Sequence, residues 1–145
     1  MDFFSSMRVS ASGLDAQMKR MNTISSNIAN AETTRSPDGG PYKRKDPLLA
    51  AQTDRENFGE ILQNKLDEHV QGVQVVDIVE DTRAPRMVYN PSHPDANADG
   101  YVAMPNVNTV EEMANMISAQ RSYEANVTSL NAAKSMAQKA LEIGR

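Results

Sequence analysis

Phe4-Ser5-Ser6-Met7-Arg8-Val9-Ser10-Ala11-Ser12-Gly13-Leu14-Asp15-Ala16-Gln17-Met18-Lys19-Arg20-Met21-Asn22-Thr23-Ile24-Ser25-Ser26-Asn27-Ile28 contains no proline and one glycine. Its apolar positions run Phe4, Met7, Ala11, Leu14, Met18, Met21 and Ile28, with Ser25 as a small member. The spacing alternates three and four, which puts them on one seam of a long helix built for close packing. Polar residues such as Asp15, Gln17, Lys19 and Asn22 fill the other faces. The helix is expected to stop near Asn30, Ala31 and Glu32, ahead of the breakers Pro37, Gly39, Gly40 and Pro41.

A second unbroken stretch closes the chain. Thr109-Val110-Glu111-Glu112 matches a capping box, with Thr109 as cap and Glu112 reaching back. The following stripe is Met113, Met116, Ala119, Tyr123, Val127, Leu130, Ala133, Ala137 and Leu141. All seven prolines of the 145 residues fall between these two stretches. A helix with one narrow apolar stripe cannot bury it alone. The expected fold is therefore mainly α: two long terminal helices paired antiparallel in coiled-coil fashion, around an irregular middle with a small hairpin.

The boundaries read as an N-terminal helix over 1–34, a middle segment over 35–105 and a C-terminal helix over 106–145. Within the middle, residues 72–79 read as a strand, carrying Val73, Val75, Val76, Ile78 and Val79. Residues 86–89 and 100–104 are two shorter candidates. Residues 48–70 contain a weakly helical stretch (Phe58, Ile61, Leu62, Leu66) that reads equally as a mobile insert. The basic run Lys43-Arg44-Lys45 is either a solvated cluster or a docking point for Glu80-Asp81 of another subunit.

Composition narrows the function class. Cysteine is absent, which removes disulfides and thiol chemistry. The net charge of −4 comes entirely from the middle, with eight basic against twelve acidic residues, and both ends are neutral. Neutral, mixed-sign helices do not describe a nucleic-acid binder. No apolar run approaches the roughly 20 residues of a membrane span. The first residues lack the basic and apolar regions of a signal peptide, so any passage out of the cytoplasm is expected without a cleaved signal.

No constellation carries catalysis. His69 and His93 are the only histidines and lack partners at metal-ligand spacing. Asp95-Ala96-Asn97-Ala98-Asp99-Gly100 copies the first half of a calcium loop, but the twelfth position is Asn106 rather than a bidentate glutamate. A turn leading into a strand at Tyr101 is the better reading. No enzyme, cofactor, metal or small-molecule ligand is expected.

Several motifs together carry a resemblance. Ala11-Ser12-Gly13-Leu14 and Ser26-Asn27-Ile28-Ala29-Asn30-Ala31-Glu32-Thr33 resemble the N-terminal signature of the bacterial flagellar rod, hook and hook-associated proteins. Ser118-Ala119-Gln120-Arg121-Ser122-Tyr123-Glu124-Ala125-Asn126-Val127 resembles their C-terminal signature. Gly40-Pro41-Tyr42-Lys43-Arg44-Lys45, the segment from Tyr89 to Pro91, Asp99-Gly100-Tyr101-Val102 and Met104-Pro105-Asn106-Val107-Asn108 narrow it to the proximal-rod branch.

The resemblance implies an axial subunit of the basal-body rod in the periplasmic space, exported through the flagellar type III apparatus. Its terminal helices would pack into the tube around the export channel and transmit torque. Its partners would be copies of itself, proximal-rod neighbours, the adaptor between MS ring and rod, and more distal rod subunits. The two helix stripes would be the assembly residues, joined by Asn27, Asn30 and Asn126, whose amides can fix register across helices. Asn30 reads equally as the residue that ends the first helix. The competing class is a soluble helical hairpin that binds a single partner.

Overall fold

A computed structural model describes residues 3–37, 39–52 and 71–143, with the side chains of Phe3, Phe4 and Ile143 left aside. The order is α1 (Phe3–Ala29), β1 (Lys45–Ala51), β2 (Val73–Glu80), β3 (Arg86–Tyr89), β4 (Tyr101–Met104) and α2 (Thr109–Ile143). The helices are 27 and 35 residues long, about 40 and 52 Å at ~1.5 Å per residue. Neither is long and apolar enough to cross a membrane. The weakly helical stretch with Phe58, Ile61, Leu62 and Leu66 lies outside the described residues.

Two compact units divide the chain, and each takes part of both helices. The first comprises Met1–Lys19, Leu49–Val76 and Ala119–Arg145; the second comprises Arg20–Leu48 and Asp77–Ser118. In the first, a Cβ built on Gly13 would stand 2.8 Å from Asn126 Nδ2, so α1 and α2 nearly touch there. In the second, Asn27 of α1 bonds Glu112 of α2. Within each unit, then, a stretch of α1 packs against a stretch of α2, as the two stripes led one to expect.

Small side chains make the approach of the helices close. Gly13, Ala16, Ala119 and Ala133 are all buried. Ser12 ties β2 to the same unit: its hydroxyl donates to the Val9 carbonyl at 2.8 Å and accepts the Val73 N–H at 3.1 Å. In the second unit the apolar core is Ile24, Ala31, Val102 and Val107, with Pro105 also enclosed.

The strands form two two-stranded sheets, β1 with β2 and β3 with β4. β3 and β4 pair antiparallel from Arg86 opposite Met104 to Tyr89 opposite Tyr101. Val102 is fully buried on one face, while Met87, Tyr89 and Tyr101 stand exposed on the other. Gly100 opens β4 at φ +78°, a conformation that side chains with a Cβ avoid. Asn97 Oδ1 accepts the Asp99 and Tyr101 N–H groups just before it. The Asp95 carboxylate is occupied by the Thr34 hydroxyl at 2.8 Å and by Arg35. The half calcium motif is thus a turn into a strand.

Three expectations need correction. β1 falls where a basic run and a weak helix were expected. The Lys45 N–H and C=O turn toward Asn27, and by strand alternation Pro47 faces the same side, where its missing N–H removes no ladder bond. The capping box does not form. Asn108 caps α2, its Oδ1 accepting the Val110 N–H at 3.1 Å, while Glu112 is drawn away by tertiary partners. Finally, Lys43 and Lys45 lie 3.5 and 3.8 Å from Glu80 of their own chain, so the acidic partner of the basic run is internal.

Candidate assembly surface

The long apolar side chains of α1 do not occupy its most buried line. Met7, Leu14, Met21 and Ile28 are half-buried, and Ala11, Met18 and Ser25 are exposed. The innermost positions are Gly13, Ala16, Thr23, Ile24 and Asn27, a path of mostly small residues offset from the methionine seam. Their spacing, three from Gly13 to Ala16, seven on to Thr23 and three from Ile24 to Asn27, keeps them on one helix face and was present in the sequence, but hydrophobic periodicity gives little weight to glycine, threonine and asparagine.

On α2, Ala119 and Ala133 are buried, while Met116, Tyr123, Asn126, Val127, Leu130 and Ala137 are half-buried. Met113 and Leu141 stand 55% and 75% exposed. Val110, Ile117 and Met136, not singled out in the sequence, are also more than half exposed. Val110, Met113 and Ile117 follow helical spacing and share one stripe. The two helices therefore spend their small residues on each other and keep a large part of their long apolar residues outside. Scattered exposed apolar residues need no explanation, but a helical row of them marks a contact surface.

Polar residues fix the second unit. Asn27 and Glu112 are each 1% exposed. The Asn27 amide donates to the Lys45 carbonyl at 2.8 Å and to Glu112 Oε2 at 3.0 Å. Its Oδ1 accepts the Lys45 N–H at 2.9 Å and the Tyr42 hydroxyl at 3.0 Å. Every hydrogen-bonding position of the amide is thereby used. Arg44 Nε donates to Glu112 Oε1 at 2.9 Å, and its Nη1 to Asp46 at 3.1 Å. Burial of Arg44 opposes its charge, but the bonds to Glu112 and Asp46 outweigh this and raise its pKa above the usual guanidinium value. Asn30, by contrast, is used locally. Its amide donates to the Ser26 carbonyl at 2.8 Å and its Oδ1 accepts the Thr33 hydroxyl, which finishes α1. Asn126 lies against Gly13.

Glu112 and Arg44 are the residues that sequence reasoning missed. Each was assigned a local role, as capping partner and as part of a charge run, and only the tertiary structure brings them together. Among the described residues no cluster of acidic, histidine or cysteine side chains could hold a metal ion. A shallow cleft of about 360 Å³ lies beside Tyr42, Lys43, Arg83 and Pro85. Its cations already face Glu80 and Asp81, so it offers an anion nothing unpaired.

Comparison with known proteins agrees with this distribution. Residues 7–35 match the model of the flagella basal body rod proteins, and residues 98–143 match that of the flagellar basal body rod FlgEFG protein C-terminal region. The two matches fall on α1 with its exit turn and on β4 with α2. The flagellar basal-body rod protein FlgC of Bacillus subtilis is 46% identical over the whole of both chains. That of Borreliella burgdorferi is 46% identical over 99% of this chain and 98% of its own. The Salmonella typhimurium protein is 41% identical over 94% of each. With such identity along essentially its full length, the chain belongs to the FlgC family of flagellar basal-body rod proteins.

Proposed function

We propose that this chain is a structural subunit of the flagellar basal-body rod, polymerising through its terminal helices into the shaft that transmits torque and surrounds the export channel. The observation that carries the reading is that both rod-family matches coincide with the two long helices, and that α2 keeps a row of large apolar side chains facing outward. In this reading Val110, Met113, Ile117 and Leu141 are covered by neighbouring subunits. The half-buried residues Met7, Leu14, Met21, Ile28, Tyr123, Val127, Leu130 and Ala137 are shared between the internal pair and those neighbours. Ala11, Met18 and Phe4 belong to the same seam.

The partners are further copies of this chain, proximal-rod neighbours, the adaptor between MS ring and rod, and more distal rod subunits. The subunit is exported without a cleaved signal to the periplasmic section of the basal body. No catalytic step is assigned to it. The reading also keeps the boundaries 1–34, 35–105 and 106–145 as helix, middle and helix.

Lysine at Met113 or Leu141 tests the assignment. Both side chains are exposed in the single chain, so stability should change by no more than about 0.5 kcal/mol. In a bacterium carrying only the variant, swimming should fail and the subunit should be missing from purified basal bodies. Normal motility with both variants would overturn the assignment of this face. Sedimentation of the wild type at rising concentration addresses the competing class, because a single-partner adaptor would stop at a fixed oligomer.

A further inference from the structure

The outer face of the β3–β4 hairpin carries no charge. Strand alternation and the observed register put Met87, Tyr89, Tyr101 and Ala103 on one side, and Val88 and Val102 on the other. Met87, Tyr89 and Tyr101 are 52%, 65% and 41% exposed. A sheet face turned to water ordinarily presents polar residues, so three large uncharged side chains there mark a contact. The face is also held in shape. The two tyrosine rings meet edge to face with centroids 5.3 Å apart, and the Tyr89 ring lies over Gly100, where a Cβ would come within 2.9 Å of it. The same unit carries a second patch of this kind, the row Val110, Met113 and Ile117 on α2. From Val110 to Ile117 is seven residues of helix, about 10 Å at ~1.5 Å per residue. The hairpin face runs about 7 Å from Met87 to Tyr89, at ~3.3 Å per residue, and the tyrosine rings extend it. Charge at the margins is complementary. Arg86 opens β3 and Glu111 follows Val110; both are exposed, and among the described residues neither side chain makes a hydrogen bond or an ion pair.

We propose that the hairpin face Met87, Tyr89 and Tyr101 of one subunit seats the α2 row Val110, Met113 and Ile117 of a second copy of this chain, with Arg86 beside Glu111 of that copy. The contact joins two different patches, so it is heterologous and copies can add in an open series. Hairpin on hairpin would instead bring one patch against itself and close at two copies. The Met113 thioether against the tyrosine rings adds a sulfur–aromatic contact. The inference rests on the rod-subunit reading above, because it names what covers the outer row of α2, and it concerns the assembled state alone.

Disulfide trapping in purified basal bodies is the test, and the chain has no cysteine of its own to interfere. Cells carrying Met87→Cys on one copy and Met113→Cys on another should yield, on mild oxidation, a covalent dimer that neither variant yields alone. A Met113→Cys thiol that is shielded from maleimide but forms no such dimer leaves the face covered and overturns this partner. A Met113→Cys thiol that stays fully reactive in the basal body overturns both the partner and the reading of the face. A dimer from Met87→Cys alone means hairpin on hairpin and overturns the proposal too. Charge exchange is an independent test that needs no cysteine. Arg86→Glu and Glu111→Arg should each shrink the swimming halo by about half or more, because like charges then face one another. A chain carrying both changes should recover most of the loss. No recovery, or full swimming by both single variants, overturns the proposal. If a cysteine variant does not assemble, the charge exchange decides.

Discussion

Gly13 is where two opposing effects can be weighed. In an exposed helix interior, Gly→Ala gains about 1 kcal/mol, because glycine loses more backbone freedom on folding. Here the added Cβ would lie 2.8 Å from Asn126 Nδ2 and 3.2 Å from both Cγ and Oδ1 of the same amide. The closest approach is roughly 0.7 Å inside the ~3.5 Å at which nonbonded atoms rest. All three contacts are with one rigid group, so a twist of the amide cannot clear them all and the side chain or helix must shift. Overpacking of this kind costs about 1–3 kcal/mol. The net effect of Gly13→Ala should thus be a loss of about 0–2 kcal/mol. In an Asn126→Ala background the obstruction is gone and the same change should stabilise by about 1 kcal/mol. Urea unfolding followed by circular dichroism at 222 nm would read this as a coupling of about 1–3 kcal/mol between the two positions. With a slope of roughly 2 kcal/mol per M, the reversal moves the midpoint by about 0.5–1.5 M. If Gly13→Ala stabilises the otherwise native chain, or acts alike in both backgrounds, the close approach of the helices at this point is refuted.

Gly100→Ala should destabilise by about 1–3 kcal/mol, since φ is +78° and the new Cβ would sit 2.9 Å from Tyr89 Cε2. Adding Tyr89→Ala should recover only the steric share, and full recovery in thermal melts would contradict the backbone argument. The Thr34 hydroxyl, and after it the Arg35 guanidinium, hold the Asp95 carboxyl below its ordinary 3.8. Because the folded value is the lower one, this stabilisation is present above about pH 4 and is lost as pH falls through the folded value. Asp95→Asn should flatten the decline of the urea midpoint between pH 5 and 3, and an unchanged decline would count against the contact. The same sign applies to Asp81, whose pKa is lowered by the bonds from Arg83, so Arg83→Ala should raise the Asp81 titration midpoint seen by carboxyl-resolved NMR.

Much of the architecture was legible because local pattern and tertiary outcome agree in it. The three-and-four spacing of α1 and α2 survives in the structure, and the branched residues of β2 form the strand they suggest. Val88 and Val102, central in their short runs, pair across β3 and β4. β1 was hidden because Lys45-Asp46-Pro47-Leu48-Leu49-Ala50-Ala51 contains no β-branched residue and one proline. What holds its start is the side chain of Asn27, 18 residues earlier. The cap was misread for a related reason. Asn108 and Thr109 both suit an N-cap, and the carboxylate that would favour Thr109 is taken by Arg44 and Asn27. The methionine seam was visible as a stripe, but which stripe turns inward depends on how closely two backbones approach. Only the glycine and alanines of the facing surfaces decide that.

The way Asn27 meets Lys45 also bears on how the protein stays soluble. A bare strand edge is a template on which foreign chains can add, and proteins must blunt such edges. Asn27 presents a side-chain amide to the outer edge of β1 and takes both the N–H and the C=O of Lys45, as a peptide group of a third strand would. One helix residue thereby closes the start of that edge. Its loss would free the backbone of Lys45, two residues short of the already exposed Leu48 and Leu49, so the first symptom of an Asn27 substitution in concentrated solution should be aggregation.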